Sequence, residues 1–192
     1  MSGRALRGRL TRAALGLSLL AVAAGAAFLS HRRQQEADRA LAGVSAARPG
    51  DRPARLRYKP ECVLQAVAER KGRALDPAKP LPRIRFESQT PLKDFQDAVE
   101  TQWGSRPEVF TNAYSLKTGE IFLIDEAAYY RRLKRHIDDS LAHEYAHYLQ
   151  VVYDGADLMN DPWGSYEADA IDLQTWFRTD FYPVGPTPAC RP

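Results

Sequence analysis

The sequence predicts an α+β domain that follows an apolar amino-terminal segment and a polar linker. Apolar residues return every three or four positions in several stretches, for example in residues 92–103, which is helical spacing. Polar and apolar residues alternate in shorter runs such as 83–87, as expected of a half-buried strand. A stretch rich in proline and glycine at 48–53 separates these patterns from the preceding chain. We therefore place the linker at residues 31–57 and the folded domain at residues 58–192.

Residues 1–30 have the charge and hydropathy pattern of an export signal. Four arginines and no acid occupy the first 12 positions, and 17 uncharged residues follow at 13–29. As a helix, this run would be about 25 Å long, slightly less than the roughly 30 Å hydrocarbon core of a bilayer. A cleaved signal peptide and a retained membrane anchor through residues 13–29 both remain open. Either one places the domain in the periplasm or another extracytoplasmic space, and a retained anchor would attach it to the inner membrane.

The charge of the domain gives no indication of nucleic-acid binding. Six of the 27 basic residues lie in the first 33 positions, and the first acid is Glu36. The remaining chain therefore carries more acids than bases, although the whole sequence has a formal net charge of +3. Because the excess of positive charge belongs to the targeting segment, we expect no nucleic-acid partner.

Two cysteines, Cys62 and Cys190, lie near opposite ends of the domain. An even number of cysteines in an exported chain predicts a disulfide, and two free buried thiols are the alternative. A disulfide that closes so long a loop would add about 4–5 kcal/mol to stability in the chain-entropy view. Two cysteines are too few for a zinc site built mainly from thiolates.

The first part of the domain predicts a helix, a strand and a second helix. The first helix begins at Pro60, since proline suits the first helical position. Its buried face would carry apolar residues at helical spacing: Cys62, Val63, Ala66 and Val67. Residues 76–82 are rich in proline and irregular, residues 83–87 form the strand, and residues 92–103 form the second helix.

A β-hairpin and a short helix are predicted next. Residues 109–114 and 120–124 are two strand-like runs, and the turn between them contains Lys117-Thr-Gly119. Residues 126–134 have helical spacing. Asp138 or Asp139 is well placed to cap the helix that follows, because a carboxylate accepts the free N–H groups of a first turn.

The next helix carries the most informative motif of the chain, in residues 140–150. His143, Glu144 and His147 have the order His-Glu-x-x-His. Positions four apart lie on one face of a helix, so both imidazoles can reach one metal ion. The apolar stripe of this helix lies elsewhere and consists of Leu141, Tyr145, Tyr148 and Val152. We expect the helix to stop before Gly155.

Glu167 is the candidate for a third ligand. A catalytic zinc site has three protein ligands and one open position, so two histidines do not complete it. A loop at 156–164 leads to a helix that we expect to begin with Ser165 as its N-cap, which places Glu167 in the first turn. A helix–loop–helix hairpin of this length would return Glu167 to His143 and His147. The alternative is that Glu167 is simply a first-turn acid favoured by the helix dipole.

These residues resemble the glutamate-type zincins, the gluzincin metallopeptidases, over about residues 119–176. The 19 residues between His147 and Glu167 match the short spacing of thermolysin-like members. The resemblance implies a zincin-like fold, with a small mixed or antiparallel sheet, an active-site helix and a second ligand-bearing helix. It implies zinc bound by the two histidines and Glu167, with Glu144 as the catalytic general base. It also implies an edge strand that holds the substrate, a place that residues 121–124 fit; a central core strand is the alternative.

The resemblance has departures. Thermolysin-like enzymes have an aspartate four residues after the ligand glutamate, as a partner of the first histidine, whereas this chain has Ile171. Glu-Ala-Asp at 167–169 and the His-x-x-Gln continuation look closer to small bacterial metallopeptidase-like domains. The candidate hydrogen-bond partners of the metal ligands are Gln150, Asp169 and Asp172. Candidate donors to the oxyanion of the reaction are Tyr153, Tyr166, Tyr182 and His136.

The sequence thus predicts a zinc metallopeptidase that acts outside the cytoplasm on a peptide or protein substrate. Zinc would lower the pKa of water, and Glu144 would take the proton as the water attacks a carbonyl. An extended substrate would pair with the edge of the hairpin. Two alternatives stay open: a zinc hydrolase that cleaves a non-peptide bond of the cell envelope, and a non-catalytic metal-binding scaffold.

Overall fold

A computed structural model describes residues 53–184, 190 and 191 of the protein. The chain has the predicted α+β class, with a three-stranded mixed sheet. The strands are β1 (Ile84–Phe86), β2 (Ala113–Tyr114) and β3 (Ile121–Leu123). The helices are α1 (Pro60–Arg70), α2 (Leu92–Trp103), α3 (Ala127–Leu133), α4 (Ile137–Val152), α5 (Ser165–Trp176) and α6 (Tyr182–Val184), with a 3-10 turn at Glu87–Gln89 and a π-helical turn at Phe177–Phe181.

The predicted export segment at 1–30 and the linker up to residue 52 lie outside the described residues. Within the described part of the chain, no helix has the length and apolar character needed to cross a bilayer. Linker residues 53–57, by contrast, are described and contact the domain. The Ala54 N–H donates to the Asp125 carbonyl at 2.7 Å, and the Arg57 N–H donates to the Asp138 carboxylate at 3.0 Å.

The helices α1 and α2 form because each has an apolar face and a local start or stop signal. α1 begins at Pro60, as predicted. Proline suits this position because the N–H groups of the first turn make no hydrogen bond within the helix, so the N–H that proline lacks is not needed. α2 has the predicted bounds and buries Phe95, Ala98 and Val99 on one face. It ends at Gly104, whose φ of +67° is a left-handed conformation that glycine adopts without a Cβ clash.

The strand order is β1-β3-β2, so β3 is the central strand. β1 pairs with β3 in parallel, with Ile84 opposite Ile121, and β2 pairs antiparallel to β3, with Tyr114 opposite Ile121. The predicted hairpin is therefore present, but its paired part is shorter than the two sequence runs. The expectation that residues 121–124 form an edge strand is wrong. The physical reason is the parallel pairing with β1, which makes β3 central; the continuous apolar run indicates that both faces are buried but does not specify this partner.

The sheet lies between α2 on one face and α4 on the other. Phe122 of β3 points toward α2, where its ring centroid lies 5.4 Å from that of Phe95. Its neighbours Ile121 and Leu123 point to the opposite face because strand side chains alternate. α4 contacts both β2 and β3, and the rings of Tyr114 and Tyr148 meet edge to face at 6.2 Å. This packing seats the motif helix against the hairpin.

Cys62 and Cys190 form a disulfide, as predicted, with a Cα–Cα distance of 5.8 Å. The Lys59 N–H also donates to the Cys190 carbonyl at 2.8 Å. The bond closes a loop with a sequence separation of 128, for which the chain-entropy view gives about 4–5 kcal/mol. A disulfide of this kind is compatible with an extracytoplasmic location.

Two predicted helix caps are wrong. The N-cap of α4 is His136 rather than Asp138 or Asp139. Asp139 instead sits in the first turn and accepts the His136 N–H at 3.1 Å, while Asp138 binds the segment before α1. The N-cap of α5 is Gly164 rather than Ser165, because Asp161 already accepts the Tyr166 N–H at 2.8 Å.

Candidate metal centre

The helical hairpin of α4 and α5 positions the candidate ligands. α4 ends before Gly155, as predicted, and the turn is closed by the Ala156 N–H, which donates to the Gln150 carbonyl at 2.8 Å. Gly155 has a φ of +68°, which allows the chain to reverse. The loop at 156–164 then returns α5 against α4. The first turn of α5, with Glu167, therefore faces the middle of α4.

The structure brings His143, His147 and Glu167 together. The two histidine Nε2 atoms are 3.1 Å apart. Glu167 places Oε1 3.5 Å from Nε2 of His143 and Oε2 3.3 Å from Nε2 of His147. All three ligand atoms lie within 4.8 Å of one another, so this group could hold a metal ion.

The spacing of these atoms fits a small tetrahedral ion. Ligand atoms about 2.0–2.1 Å from a tetrahedral centre lie about 3.3 Å from one another. The two Nε2 atoms are 3.1 Å apart, and each lies 3.3 or 3.5 Å from a different oxygen of the Glu167 carboxylate, so the nearest approaches are close to that value. Two imidazole nitrogens with one carboxylate are also a ligand set typical of zinc enzymes. The donor set and its size therefore suit a metal.

The charges of the group favour a shared cation. Burial alone would raise the pKa of Glu167, but hydrogen bonds with His143 and His147 hold it well below its usual range. Burial alone would lower the pKa of His147, but Glu167 and Glu144 raise it. Glu167 and His147 are therefore each stabilised in the charged form by their neighbours. A bound cation would replace the proton in that arrangement.

Glu144 lies behind the ligands, next to β2. Its side chain is buried, with 4% of the residue exposed, and burial raises its pKa while the two histidines oppose that shift. The backbone of Tyr114 hydrogen-bonds to its carboxylate. A raised pKa moves a carboxyl group toward the range in which it exchanges a proton near neutral pH. The contact with Tyr114 ties the candidate base to the sheet.

Gln150 fixes the ring of His147. Its Oε1 lies 2.9 Å from Nδ1 of His147, and its Nε2 donates to the Tyr166 carbonyl at 2.9 Å and to Asp169 at 2.8 Å. Because both amide protons of Gln150 are used, its oxygen must accept from the histidine. When the ring is neutral, His147 therefore carries its proton on Nδ1 and presents an unprotonated Nε2 to the candidate metal position.

His143 has no comparable support. Its Nδ1 atom is buried and has no hydrogen-bond partner within the part of the chain that the structure describes. Ile171, which stands where the resemblance leads one to expect an aspartate, cannot accept a hydrogen bond. Asp172, one of the predicted partners, is exposed, whereas Asp169 supports Gln150. The described hydrogen bonds therefore support His147 and not His143.

The remaining predicted residues are engaged in other contacts. The Tyr153 hydroxyl accepts the Asp76 N–H at 3.1 Å, and its ring lies 4.1 Å from Nζ of Lys79. Tyr182 stacks on His136 at the start of α4, with ring centroids 4.0 Å apart. Tyr166 contributes its carbonyl to Gln150. Sequence reasoning missed Lys71, which pairs with Asp169 and gives no local signal, since the two residues are 98 positions apart.

The candidate centre therefore consists of three converging ligand atoms, a buried glutamate beside them and a glutamine that orients one ligand. The residues that form these features lie on α4 and α5, next to β2. Comparison with protein-family models, with curated proteins and with solved structures finds no match to this chain.

Proposed function

We propose that the protein is a zinc-dependent hydrolase of the zincin type, with a peptidase activity outside the cytoplasm. The observation that supports this most directly is the convergence of His143, His147 and Glu167 beside the buried Glu144. The Glu167 side chain is 48% exposed, whereas the histidine side chains are each 14% exposed. The ligand group therefore opens to solvent on the Glu167 side, where a substrate can approach.

The residues of the chain have distinct roles in this mechanism. Zinc, when bound by His143, His147 and Glu167, would supply Lewis acidity that polarises a carbonyl and lowers the pKa of water. Glu144 takes the proton of the attacking water and delivers it to the leaving nitrogen. The Tyr114 backbone orients the Glu144 carboxylate for both transfers.

A purely structural metal site explains the geometry less well. A structural zinc is closed by four protein ligands and has no use for a general base. Within the described residues, three side chains form the ligand group, and a glutamate lies beside it without belonging to it. Both features support catalysis over a scaffold role.

A non-peptide substrate is the second candidate, and one observation favours it. The strand expected to pair with a substrate peptide, β3, is central and already bound on both sides. At β2, the Tyr114 carbonyl accepts a hydrogen bond from Gln102 at 3.1 Å, and the Tyr114 backbone also binds Glu144. An amide bond in an envelope glycan or lipid needs no strand pairing and would use the same catalytic residues.

Metal content and hydrolysis measured together test the proposal. The purified chain is expected to contain about one zinc per molecule and to cleave members of a fluorogenic peptide library. A chelator should abolish cleavage, and added zinc should restore it, because the metal supplies part of the chemistry. A panel of N-acylated glycans and lipids assayed in parallel separates the two substrate classes. A protein that binds no zinc, or a zinc-loaded protein inactive on both panels, would contradict the proposal.

A further inference from the structure

A chain of polar contacts runs from the candidate metal centre to the end of α1. His147 contacts Gln150, Gln150 contacts Asp169, and Asp169 contacts Lys71. Lys71 is the C-cap residue of α1, so the contacts join the consecutive helices α4 and α5 to α1, which is far from both in sequence. Gln150 is 2% exposed and the Lys71 side chain 14% exposed, so water competes little at Gln150, whereas the Asp169 side chain is 42% exposed and remains open to water.

Each member of this chain determines the orientation of the next. Lys71 has only donors, so the Asp169 carboxylate accepts from it. Asp169 also accepts from Nε2 of Gln150, which leaves the Gln150 oxygen as the group that faces His147. If the Gln150 amide were reversed, its NH₂ group would face Nδ1 and the proton of His147 would move to Nε2. That tautomer has no lone pair on Nε2 to offer a metal.

Lys71 also balances the charge that Asp169 brings to the centre. Asp169 lies two positions from Glu167 in the first half of α5, so an unpaired carboxylate there would be a second negative charge beside the ligand group. The ammonium group of Lys71 lies 2.5 Å from its Oδ2. The pair therefore gives Gln150 a fixed acceptor, and the attraction between its charges keeps that acceptor in place.

We infer that Lys71 and Asp169 are positioning residues which act through Gln150 to keep Nε2 of His147 free for metal. The inference rests on the proposed function, which gives the free Nε2 of His147 its use. The two measurements, the His147 tautomer and the zinc affinity, do not require hydrolytic activity. The alternative is that the ion pair only fastens α1 to α5. His143 differs from His147 in this respect, because its Nδ1 has no hydrogen-bond partner among the described residues and nothing comparable fixes its tautomer.

The tautomer of His147 can be read directly from the ¹⁵N chemical shifts of its ring in the metal-free protein, at alkaline pH where the ring is neutral. Zinc affinity is measured separately by competition with a chromophoric chelator. The variants are Gln150→Met, which keeps the side-chain length, Lys71→Met and the conservative Lys71→Arg. Arg73→Met is the matched control: it removes the 2.6 Å ion pair with Asp154, which joins the same end of α1 to the end of α4 without contacting Gln150.

Gln150→Met should shift His147 from the Nδ1–H form to a mixture of tautomers and lower zinc affinity about 10–100-fold, as loss of a ligand's hydrogen-bond partner does elsewhere. Lys71→Met should change the His147 tautomer and the zinc affinity in the same direction by a smaller amount. Lys71→Arg, which keeps the positive charge, should leave both near their wild-type values. Arg73→Met should change neither. Equal effects of Lys71→Met and Arg73→Met, or an unchanged His147 tautomer in Gln150→Met, would overturn the inference.

Failure of the proposed function would look different. A wild-type protein that binds zinc but hydrolyses nothing would refute the hydrolase, whereas the tautomer and affinity differences among the variants would still support the positioning residues. Conversely, an active zinc hydrolase in which Lys71→Met leaves the His147 tautomer and the zinc affinity unchanged would refute only the positioning residues.

Discussion

The two halves of α4 both bury polar side chains, but they do so in opposite ways. The first half carries Asp138 and Asp139, which are 1% and 0% exposed. The second half carries His143, Glu144 and His147. In the first half, the carboxylates of Asp138 and Asp139 both accept hydrogen bonds from donors of the protein. In the second half, the ligand atoms face one another.

The acids of the first half are satisfied by the protein itself. Asp138 accepts the N–H groups of Arg57 and Tyr58, each at 3.0 Å. Asp139 accepts the His136 N–H at 3.1 Å and faces the side chains of Gln174 and Arg178 on the next helical segment. A helix N-terminus also favours negative charge. These contacts explain why two acids can be buried without any ligand, and they make this end of α4 structural.

The side chains of the second half, with Glu167, could hold a metal ion. Two Nε2 atoms at 3.1 Å and a carboxylate at 3.3 and 3.5 Å present lone pairs to one region. Buried lone pairs that converge are costly unless a proton or a cation lies between them. The comparison shows that burial of polar groups does not by itself mark a metal site; the second half differs from the first by the convergence of its ligand atoms.

The largest effect is expected for Glu144→Gln, which tests whether the second half of α4 takes part in hydrolysis. The amide cannot act as a base, so hydrolysis should fall about 10²–10⁴-fold, the usual contribution of general base catalysis. Zinc content should stay near that of the wild type, because Glu144 is not one of the converging ligand atoms. Rates measured beside elemental zinc content check both parts. Unchanged hydrolysis would remove Glu144 from the mechanism.

A smaller effect is expected for Glu167→Ala, which removes one of the three ligand side chains. Zinc affinity should fall by at least the roughly 10–100-fold that loss of a ligand's supporting hydrogen bond causes. Competition with a chromophoric chelator gives the affinity. Asp172→Ala is the matched control, since Asp172 is an exposed acid on the same helix. If Glu167→Ala binds zinc as tightly as that control does, another group is the third ligand and the halves of α4 differ less than the geometry indicates.

Much of the fold follows from local patterns in the sequence. The spacing of apolar residues locates α2 at its observed bounds, and it places α1, α3 and α4 within a few residues of theirs. The disulfide follows from the cysteine count, and the ligand group follows from the spacing of two histidines and one later glutamate. These predictions succeed because helical periodicity and motif spacing are properties of neighbouring residues.

The features that could not be predicted depend on residues far apart in the chain. β3 is central because β1 pairs with it in parallel, and no local pattern specifies that partner. Asp138 does not cap α4 because it is used by Arg57 and Tyr58, 81 and 80 positions earlier. Lys71 joins the candidate site through a contact across 98 positions. In each case a tertiary contact decides between alternatives that the local sequence leaves equal.

The smallest effect concerns the structural half of α4 and its response to pH. Burial is the largest influence on Asp139 and raises its pKa from 3.8 to about 6, against the opposing contacts of His136 and Arg178. A raised pKa means that the folded protein binds this proton more tightly than the unfolded chain. The stabilisation is therefore complete below pH 3.8 and is lost as the pH rises through about 6. At 1.36 kcal/mol per pH unit, the loss is on the order of 1–3 kcal/mol.

Asp139→Asn should remove this part of the pH dependence, because asparagine keeps one oxygen acceptor and cannot ionise. Urea unfolding of the metal-free protein between pH 4 and pH 7 measures it. The variant should match the wild type near pH 4 and exceed its stability at pH 7, whereas Asp172→Asn, at an exposed position, should keep the wild-type slope. An Asp139→Asn variant that is much less stable at pH 7 would mean that the ionised acid itself holds the first turn of α4. The two halves of the helix would then both depend on charge, one on a carboxylate of the chain and the other on a cation from outside it.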